Sequence, residues 1–172
     1  MSQDYLIPAR TDIGHVHLRV SDLEVAVAFY RDVLGFELTV RLGDDAAFLS
    51  AGGYHHHVGL NTWESRGGKP AARGTTGLYH FAIRYPDRRA LAVALKRVLD
   101  AGVRLQGAAD HGVSEAIYLA DPDGNGIELM FDRPREAWPM QDGRIVMITE
   151  PLDLRALLAE AAAPPEDSPG RS

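Results

Sequence analysis

The chain has 172 residues and a formal net charge of −6, with 45% hydrophobic and 24% charged residues. This length and composition are typical of a globular protein with one domain or two small, similar ones. The negative charge argues against nucleic-acid binding, and the absence of cysteine excludes disulfides, thiolate metal sites and a cysteine nucleophile. No apolar run is long enough to span a membrane, and residues 1–10 show no signal-peptide pattern, so we expect a soluble, cytoplasmic protein.

The first predicted module covers residues 11–63 and has the order strand, helix and three strands. An alternating run over residues 13–20 leads to Asp22, a good helix N-cap. Apolar residues then recur at helical spacing as far as Gly35, where a helix is expected to end. The three strands that follow are predicted near residues 36–42, 46–51 and 55–62.

The second predicted module, residues 77–134, repeats the first. Aligning His15 with His80 also brings Arg19 onto Arg84, and a capped helical pattern follows both segments. The segment 64–76 is rich in glycine and basic residues and is predicted to be a linker. Three further strands are predicted near residues 103–108, 114–120 and 126–131.

These patterns predict an α+β fold of two β-α-β-β-β modules, paired about a pseudo-twofold axis. We expect eight strands in total, curled around a cavity that holds a metal site. The modules and linker would form a single domain over residues 11–134. Residues 135–172 are predicted to be a C-terminal extension, with a short helix near 151–163 and a flexible tail.

Several polar side chains fall at related positions of the two modules. Strand alternation places His15 and His80 equivalently, and His57 and Glu128 lie at roughly equivalent places in the last strand of each module. Pairing of the modules would bring all four together. Two histidines and a carboxylate on separate strands form a ligand set that leaves metal positions open on one side. The sequence therefore predicts a metal site.

The sequence also resembles a known family at both ends of the repeat. Residues 29–36, Phe-Tyr-Arg-Asp-Val-Leu-Gly-Phe, are similar to the opening module of the vicinal oxygen chelate superfamily, which includes glyoxalases, bleomycin-resistance proteins and extradiol dioxygenases. Residues 118–129, Tyr-Leu-Ala-Asp-Pro-Asp-Gly-Asn-Gly-Ile-Glu-Leu, are similar to its closing module. The resemblance covers about residues 13–134 and is greatest to members like catechol 2,3-dioxygenase.

The resemblance implies roles for individual residues. His15, His80 and Glu128 match the iron ligands of the extradiol branch. Tyr118 falls where that branch has a tyrosine that hydrogen-bonds the substrate oxygen, and His57 falls at its acid/base histidine. The resemblance also assigns His111 to the active site, as a further catalytic histidine.

The function implied is ring cleavage of a catechol-type vicinal diol by dioxygen, with Fe(II) as the metal and Mn(II) or another divalent ion as the alternative. Two other functions stay open: a glyoxalase-type isomerase or lyase, in which His57 would be a metal ligand, and a binding protein without catalysis. The expected partners are a small-molecule substrate and dioxygen, with no nucleic acid and no membrane. The sequence leaves homo-oligomerisation open.

Overall fold

The computed structural model describes residues 5–72 and 74–162. Its contacts divide these into two compact units: the first ends at residue 69, and the second takes in the described residues from 70 onward together with residues 32–34. None of the helices in the described part of the chain is long and apolar enough to cross a membrane.

The first unit contains a four-stranded sheet. Its strands are β1 (Val16–Arg19), β2 (Glu37–Leu42), β3 (Ala46–Ser50) and β4 (Val58–Asn61), in the order β1-β4-β3-β2. The β1–β4 pair is parallel and the other pairs are antiparallel. The helix α1 (Leu23–Ala28) follows β1, and Asp22 Oδ1 caps it by accepting from the Val25 N–H at 3.1 Å. A π-helical turn, Phe29–Val33, continues it.

The second unit repeats this arrangement. It contains β5 (Phe81–Tyr85), α2 (Arg88–Asp100), β6 (Gly107–Asp110), β7 (Ser114–Ala120) and β8 (Gly126–Asp132). These strands have the order β5-β8-β7-β6, again with a parallel first pair. The helix is capped in the same way, because Asp87 Oδ1 accepts from the Ala90 N–H at 2.7 Å. The predicted β-α-β-β-β repeat is confirmed within each unit.

Side chains alternate along β7 and β8, the central strands of the second unit, so that one face of the sheet is apolar core and the other carries the polar site residues. Ile117 and Leu119 on β7 and Ile127 and Leu129 on β8 are fully buried. The residues between them point to the opposite face of the sheet. Tyr118 and Glu128, whose polar groups can bind a ligand or take part in a reaction, therefore lie together on that face. They are also direct cross-strand partners.

The C-terminal extension adds structure to the second unit. A single 3₁₀ turn (Arg135–Ala137) leads to β9 (Met140–Gln141) and β10 (Arg144–Ile145), which form a small antiparallel hairpin. The strand β11 (Glu150–Pro151) then pairs with the free edge of β6 and makes the sheet five-stranded. Finally α3 (Leu154–Ala161) packs on α2.

Buried contacts fasten α3 to the rest of the unit. Leu157 is fully buried. Arg88 at the start of α2 donates from Nε to Glu115 Oε2 on β7 at 2.8 Å, and from Nη1 to Glu160 on α3. One guanidinium thus ties a helix of the extension to the sheet. Because these contacts replace solvent on both helices, the extension is part of the core of the second unit rather than an appendage.

The expectation of eight strands is wrong for the described residues, which contain eleven. The three additional strands lie in the extension and have two residues each, too few to produce a period in the sequence. The hairpin does carry one local signal: Asp142 and Gly143 both have positive φ, 51° and 74°, as a two-residue turn of the Asp-Gly type requires. The helix α3 lies within the range 151–163 where a short helix is expected, and the predicted flexible tail lies outside the described residues.

Candidate functional site

His80 and Glu128 form the centre of the site in the second unit. His80 directly precedes β5, and Glu128 lies on β8 opposite Ala82 of β5. His80 Nε2 and Glu128 Oε2 are 2.9 Å apart, with 32% and 13% of the two side chains exposed. An imidazole nitrogen and a carboxylate oxygen are therefore brought together where solvent or a ligand can reach them.

Gly126 allows His80 to take this position. The Tyr79 carbonyl oxygen lies 2.1 Å from the point where a Cβ on Gly126 would stand, and the His80 Cβ lies 3.1 Å from it. A side chain at residue 126 would collide with backbone, which cannot rotate away. The glycine at the start of β8 thus fixes the path of the chain just before His80.

Tyr118 joins the pair from the neighbouring strand. It faces Glu128 directly in the β7–β8 register, and its Oη lies 3.4 Å from Glu128 Oε1. Burial raises the pKa of Tyr118 to about 12, and the negative charge of Glu128 acts in the same direction. The phenol is therefore neutral at physiological pH and keeps its hydrogen.

His111 completes the cluster from the loop after β6. Its Nε2 lies 2.8 Å from Tyr118 Oη, and its Nδ1 lies 3.0 Å from the backbone carbonyl oxygen of Ile148. Ile148 belongs to the C-terminal extension and was not among the residues predicted to build the site. No side-chain pattern could have found it, because its backbone makes the contact; the Asp142-Gly143 turn before it is the nearest sequence signal.

A cavity of about 270 Å³ opens beside these groups, with Tyr79, His80, Gln106 and Tyr118 among the residues that line it. Glycines at positions 107 and 126 form part of its wall and leave room there. Its size is close to the lower end of the range for small-molecule sites. The second unit by itself thus offers a small polar cavity lined by a histidine and a tyrosine, each in contact with Glu128.

The other two predicted site residues lie in the first unit. His15 directly precedes β1, as His80 precedes β5, and its ring centroid is 4.4 Å from that of His56. His57 lies before β4 rather than within it. Its Nδ1 accepts a hydrogen bond from the Ala51 N–H at 3.3 Å, and Ser50 Oγ is 3.1 Å from the same nitrogen. The amide contact assigns the hydrogen of the neutral ring to Nε2.

The strand registers correct one expected equivalence. Glu128 pairs with Ala82 on β5, and the corresponding residue of β1 is His17, which pairs with Gly59. Gly59, not His57, therefore occupies the position of Glu128 in the first sheet. The expected match of His57 with Glu128 is wrong by two residues, because the last strand of the first module begins later than the sequence pattern indicates.

The family model described as "Glyoxalase/Bleomycin resistance protein/Dioxygenase superfamily" matches residues 12–129. The chain belongs to this superfamily. The match confirms the resemblance seen in the opening and closing motifs. It spans the predicted repeat and stops one residue after Glu128.

Three known proteins illustrate what the chain is similar to. "Catechol-2,3-dioxygenase" of Bacillus subtilis (strain 168) is 44% identical over 152 residues, which are 88% of this chain and 52% of that protein. "Biphenyl-2,3-diol 1,2-dioxygenase 3" of Rhodococcus globerulus is 30% identical over 70% of this chain and 63% of that protein. A crystal structure of a glyoxalase/dioxygenase from Nostoc punctiforme has a TM-score of 0.63 at 19% identity, covering 78% of this chain and 100% of that one, and shows the fold alone.

The chain spans about half the length of the Bacillus relative and less than two thirds of the Rhodococcus relative. The names given to those longer proteins describe those proteins.

The donor atoms of the second unit fit part of a metal site. Ions of this class bind nitrogen and oxygen at about 2.0–2.2 Å, so two ligand atoms at right angles around one ion would be about 3 Å apart. The His80 Nε2 to Glu128 Oε2 distance of 2.9 Å agrees with that separation. Among the described residues no group of three or more histidine, cysteine or acidic side chains is arranged to hold an ion. The pair therefore fits two ligands of a superfamily metal site, and His15 as the third stays a prediction.

Proposed function

We propose that this superfamily member is a divalent-metal-dependent extradiol dioxygenase that opens the ring of a catechol-type vicinal diol. The observation that carries the proposal is the Tyr118 hydroxyl, which His111 holds at 2.8 Å beside the His80–Glu128 pair. A phenol next to a pair that could bind a metal can form a hydrogen bond with an oxygen of a substrate bound at that metal. The 44% identity with a protein named catechol-2,3-dioxygenase supports the same reading.

In this proposal His80 and Glu128 hold the metal, with His15 as the third ligand implied by the family resemblance. Fe(II) is the proposed ion, and Mn(II) or another divalent ion suits the same nitrogen and oxygen donors. When bound, the ion would supply a Lewis-acidic centre at which the diol and dioxygen meet. Two neutral imidazoles and one carboxylate leave one positive charge uncompensated on a divalent ion. That charge favours a diol which has lost one proton.

The remaining residues of the second unit would orient the substrate. Tyr118 is neutral and offers its oxygen toward the side of the His80–Glu128 pair. The cavity of about 270 Å³ is large enough for a single aromatic ring with a small substituent. These groups bind and orient the diol without taking up its proton.

His57 would accept and return the proton of a substrate hydroxyl. In the tautomer assigned above, His57 donates from Nε2, so action as a base requires the ring hydrogen to stand on Nδ1 instead, which gives up the hydrogen bond from the Ala51 N–H. Ser50 Oγ lies 3.1 Å from that nitrogen and can accept it. Ser50 is thus the residue that would allow His57 to exchange a proton with a substrate hydroxyl.

The deciding experiment starts from protein purified without a histidine tag. Its metal content is measured, it is reconstituted anaerobically with Fe(II) or Mn(II), and ring cleavage of a panel of catechols is followed with oxygen uptake. Cleavage with one oxygen molecule consumed per ring supports the proposal. Isomerisation of a hemithioacetal without oxygen uptake would establish the glyoxalase reading instead, and tight binding of ligands without turnover would establish a binding protein.

A further inference from the structure

The backbone of Ile148 makes two hydrogen bonds with His111. The Ile148 N–H donates to the His111 carbonyl oxygen at 3.2 Å, and the Ile148 carbonyl oxygen lies 3.0 Å from His111 Nδ1. Directly afterwards β11 joins the edge of β6 at Asp110 and Ala109. The extension thus runs alongside His111 next to the β6–β11 pair, and one of its two contacts with His111 is backbone to backbone while the other reaches the ring.

These contacts restrict the hydrogen positions of the ring. A carbonyl oxygen only accepts, so His111 Nδ1 must carry a hydrogen; otherwise two lone pairs would face each other at 3.0 Å. In the neutral ring this leaves Nε2 without a hydrogen. The Tyr118 hydroxyl, 2.8 Å away, then donates to Nε2 in preference to Glu128 Oε1 at 3.4 Å.

We infer that the Ile148 carbonyl is a positioning group for the site: it fixes His111 as the Nδ1–H tautomer and thereby makes the Tyr118 oxygen a hydrogen-bond acceptor toward the ligand. The phenol has a single hydrogen, and it donates that hydrogen to His111 Nε2. Tyr118 lines the cavity, so the lone pairs of its Oη can then accept a hydrogen from a ligand hydroxyl. This last consequence rests on the proposed function, because it selects a ligand that presents an O–H group.

Pro139 and Ile148 lie close against Gly112. Gly112 has φ +74°, and a Cβ there would lie 2.8 Å from Pro139 Cγ and 3.3 Å from Ile148 Cγ1. Gly143 in the hairpin has the same φ of 74° but no atom within 4 Å of its Cβ position. The two glycines therefore share the same backbone strain on substitution and differ in whether the new methyl group pushes on the Ile148 segment.

The test is a measurement of the His111 tautomer by long-range ¹H–¹⁵N NMR on the metal-free protein at pH 7.5, with the signals assigned by their loss in His111→Asn. We expect a hydrogen on Nδ1 and none on Nε2. A ring with its hydrogen on Nε2, or a doubly protonated ring at that pH, would overturn the inference. Neither metal nor substrate is present, so a failure of the proposed dioxygenase activity leaves this result unaffected.

Three variants separate the backbone contact from general packing. Gly112→Ala should give a mixture of His111 tautomers, whereas the matched Gly143→Ala should keep the single Nδ1–H form. Ile148→Ala retains the carbonyl and should keep that form too, which provides an independent check if Gly112→Ala does not fold. An unchanged tautomer in folded Gly112→Ala, or a changed one in Ile148→Ala, contradicts the role of the carbonyl.

Discussion

The two units have the same strand order, yet the chemistry of their histidines differs. In the first unit His57 Nδ1 meets an N–H, of Ala51, and in the second His111 Nδ1 meets a C=O, of Ile148. The neutral rings therefore carry their hydrogens on opposite nitrogens, Nε2 in His57 and Nδ1 in His111. The two histidines lie at different places in the repeat, His57 before β4 and His111 after β6. At each place one neighbouring backbone group decides which ring nitrogen donates and which accepts.

The units also differ at the position of Glu128. The first sheet has Gly59 there, under the ring of His17, whose atoms come within 3.0 Å of the Cβ position of Gly59. The register counterpart of Glu128 in the first sheet therefore has no side-chain donor atom. The role of His57 as an acid/base residue rather than a metal ligand stays a prediction, which the His57→Gln variant tests.

The largest effect is expected for Glu128→Gln. The amide loses the negative charge that would hold the ion, so metal binding and turnover should both fall to background. Isothermal titration with Fe(II) under anaerobic conditions and the ring-cleavage assay measure the two separately. Glu150→Gln, an exposed carboxylate on β11 of the same sheet, is the control and should match the parent. Full metal affinity in Glu128→Gln would contradict the assignment.

His57→Gln tests the difference between the units directly. As an acid/base residue away from the metal, it should lower turnover by about 10²–10⁴-fold while metal content stays at the parental level. His55→Gln, an exposed neighbour, is the matched control. If His57→Gln loses the metal instead, His57 is a ligand, and the isomerase becomes the better proposal.

Leu157→Ala measures what the extension contributes to the second unit. The fully buried side chain lies where α3 packs on α2, so the substitution should lower the free energy of unfolding by about 2–5 kcal/mol. Leu158→Ala, on a half-buried position of the same helix, should cost less. Chemical denaturation followed by circular dichroism gives both values. Equal, small losses would mean that α3 is not part of the core.

The smallest effect is a pH dependence at Tyr85. Burial raises the pKa of Tyr85 to about 12, although nearby Arg97 opposes the shift. Below pH 10 the phenol is protonated in both states; between pH 10 and 12 the unfolded state releases its proton first, so the free energy of unfolding falls as pH rises. Tyr85→Phe should make this decline shallower, with exposed Tyr5→Phe as the control. An identical slope in Tyr85→Phe would show that the phenol is not protected by the fold.

The sequence by itself determined the repeated β-α-β-β-β order, the aspartate caps at residues 22 and 87, and the residues that gather in the second unit. The strand order and the caps depend on periodicity and local capping, which neighbouring residues encode. Tyr118 and His111 were assigned to the site by the family resemblance. His80, Tyr118, His111 and Glu128 were all expected at the site, and the structure brings these four together.

Only the tertiary structure decided the strand register, the strands of the extension and the hydrogen positions of the rings. The register places Gly59, and not His57 two residues earlier, opposite β1 at the counterpart of Glu128. Residues two apart on a strand share one face, so a pattern of alternation cannot distinguish them. The contact of Ile148 with His111 joins backbone to side chain across 37 residues. Backbone groups are the same in every residue type except proline, and their placement is therefore absent from the sequence pattern and appears only when the chain folds.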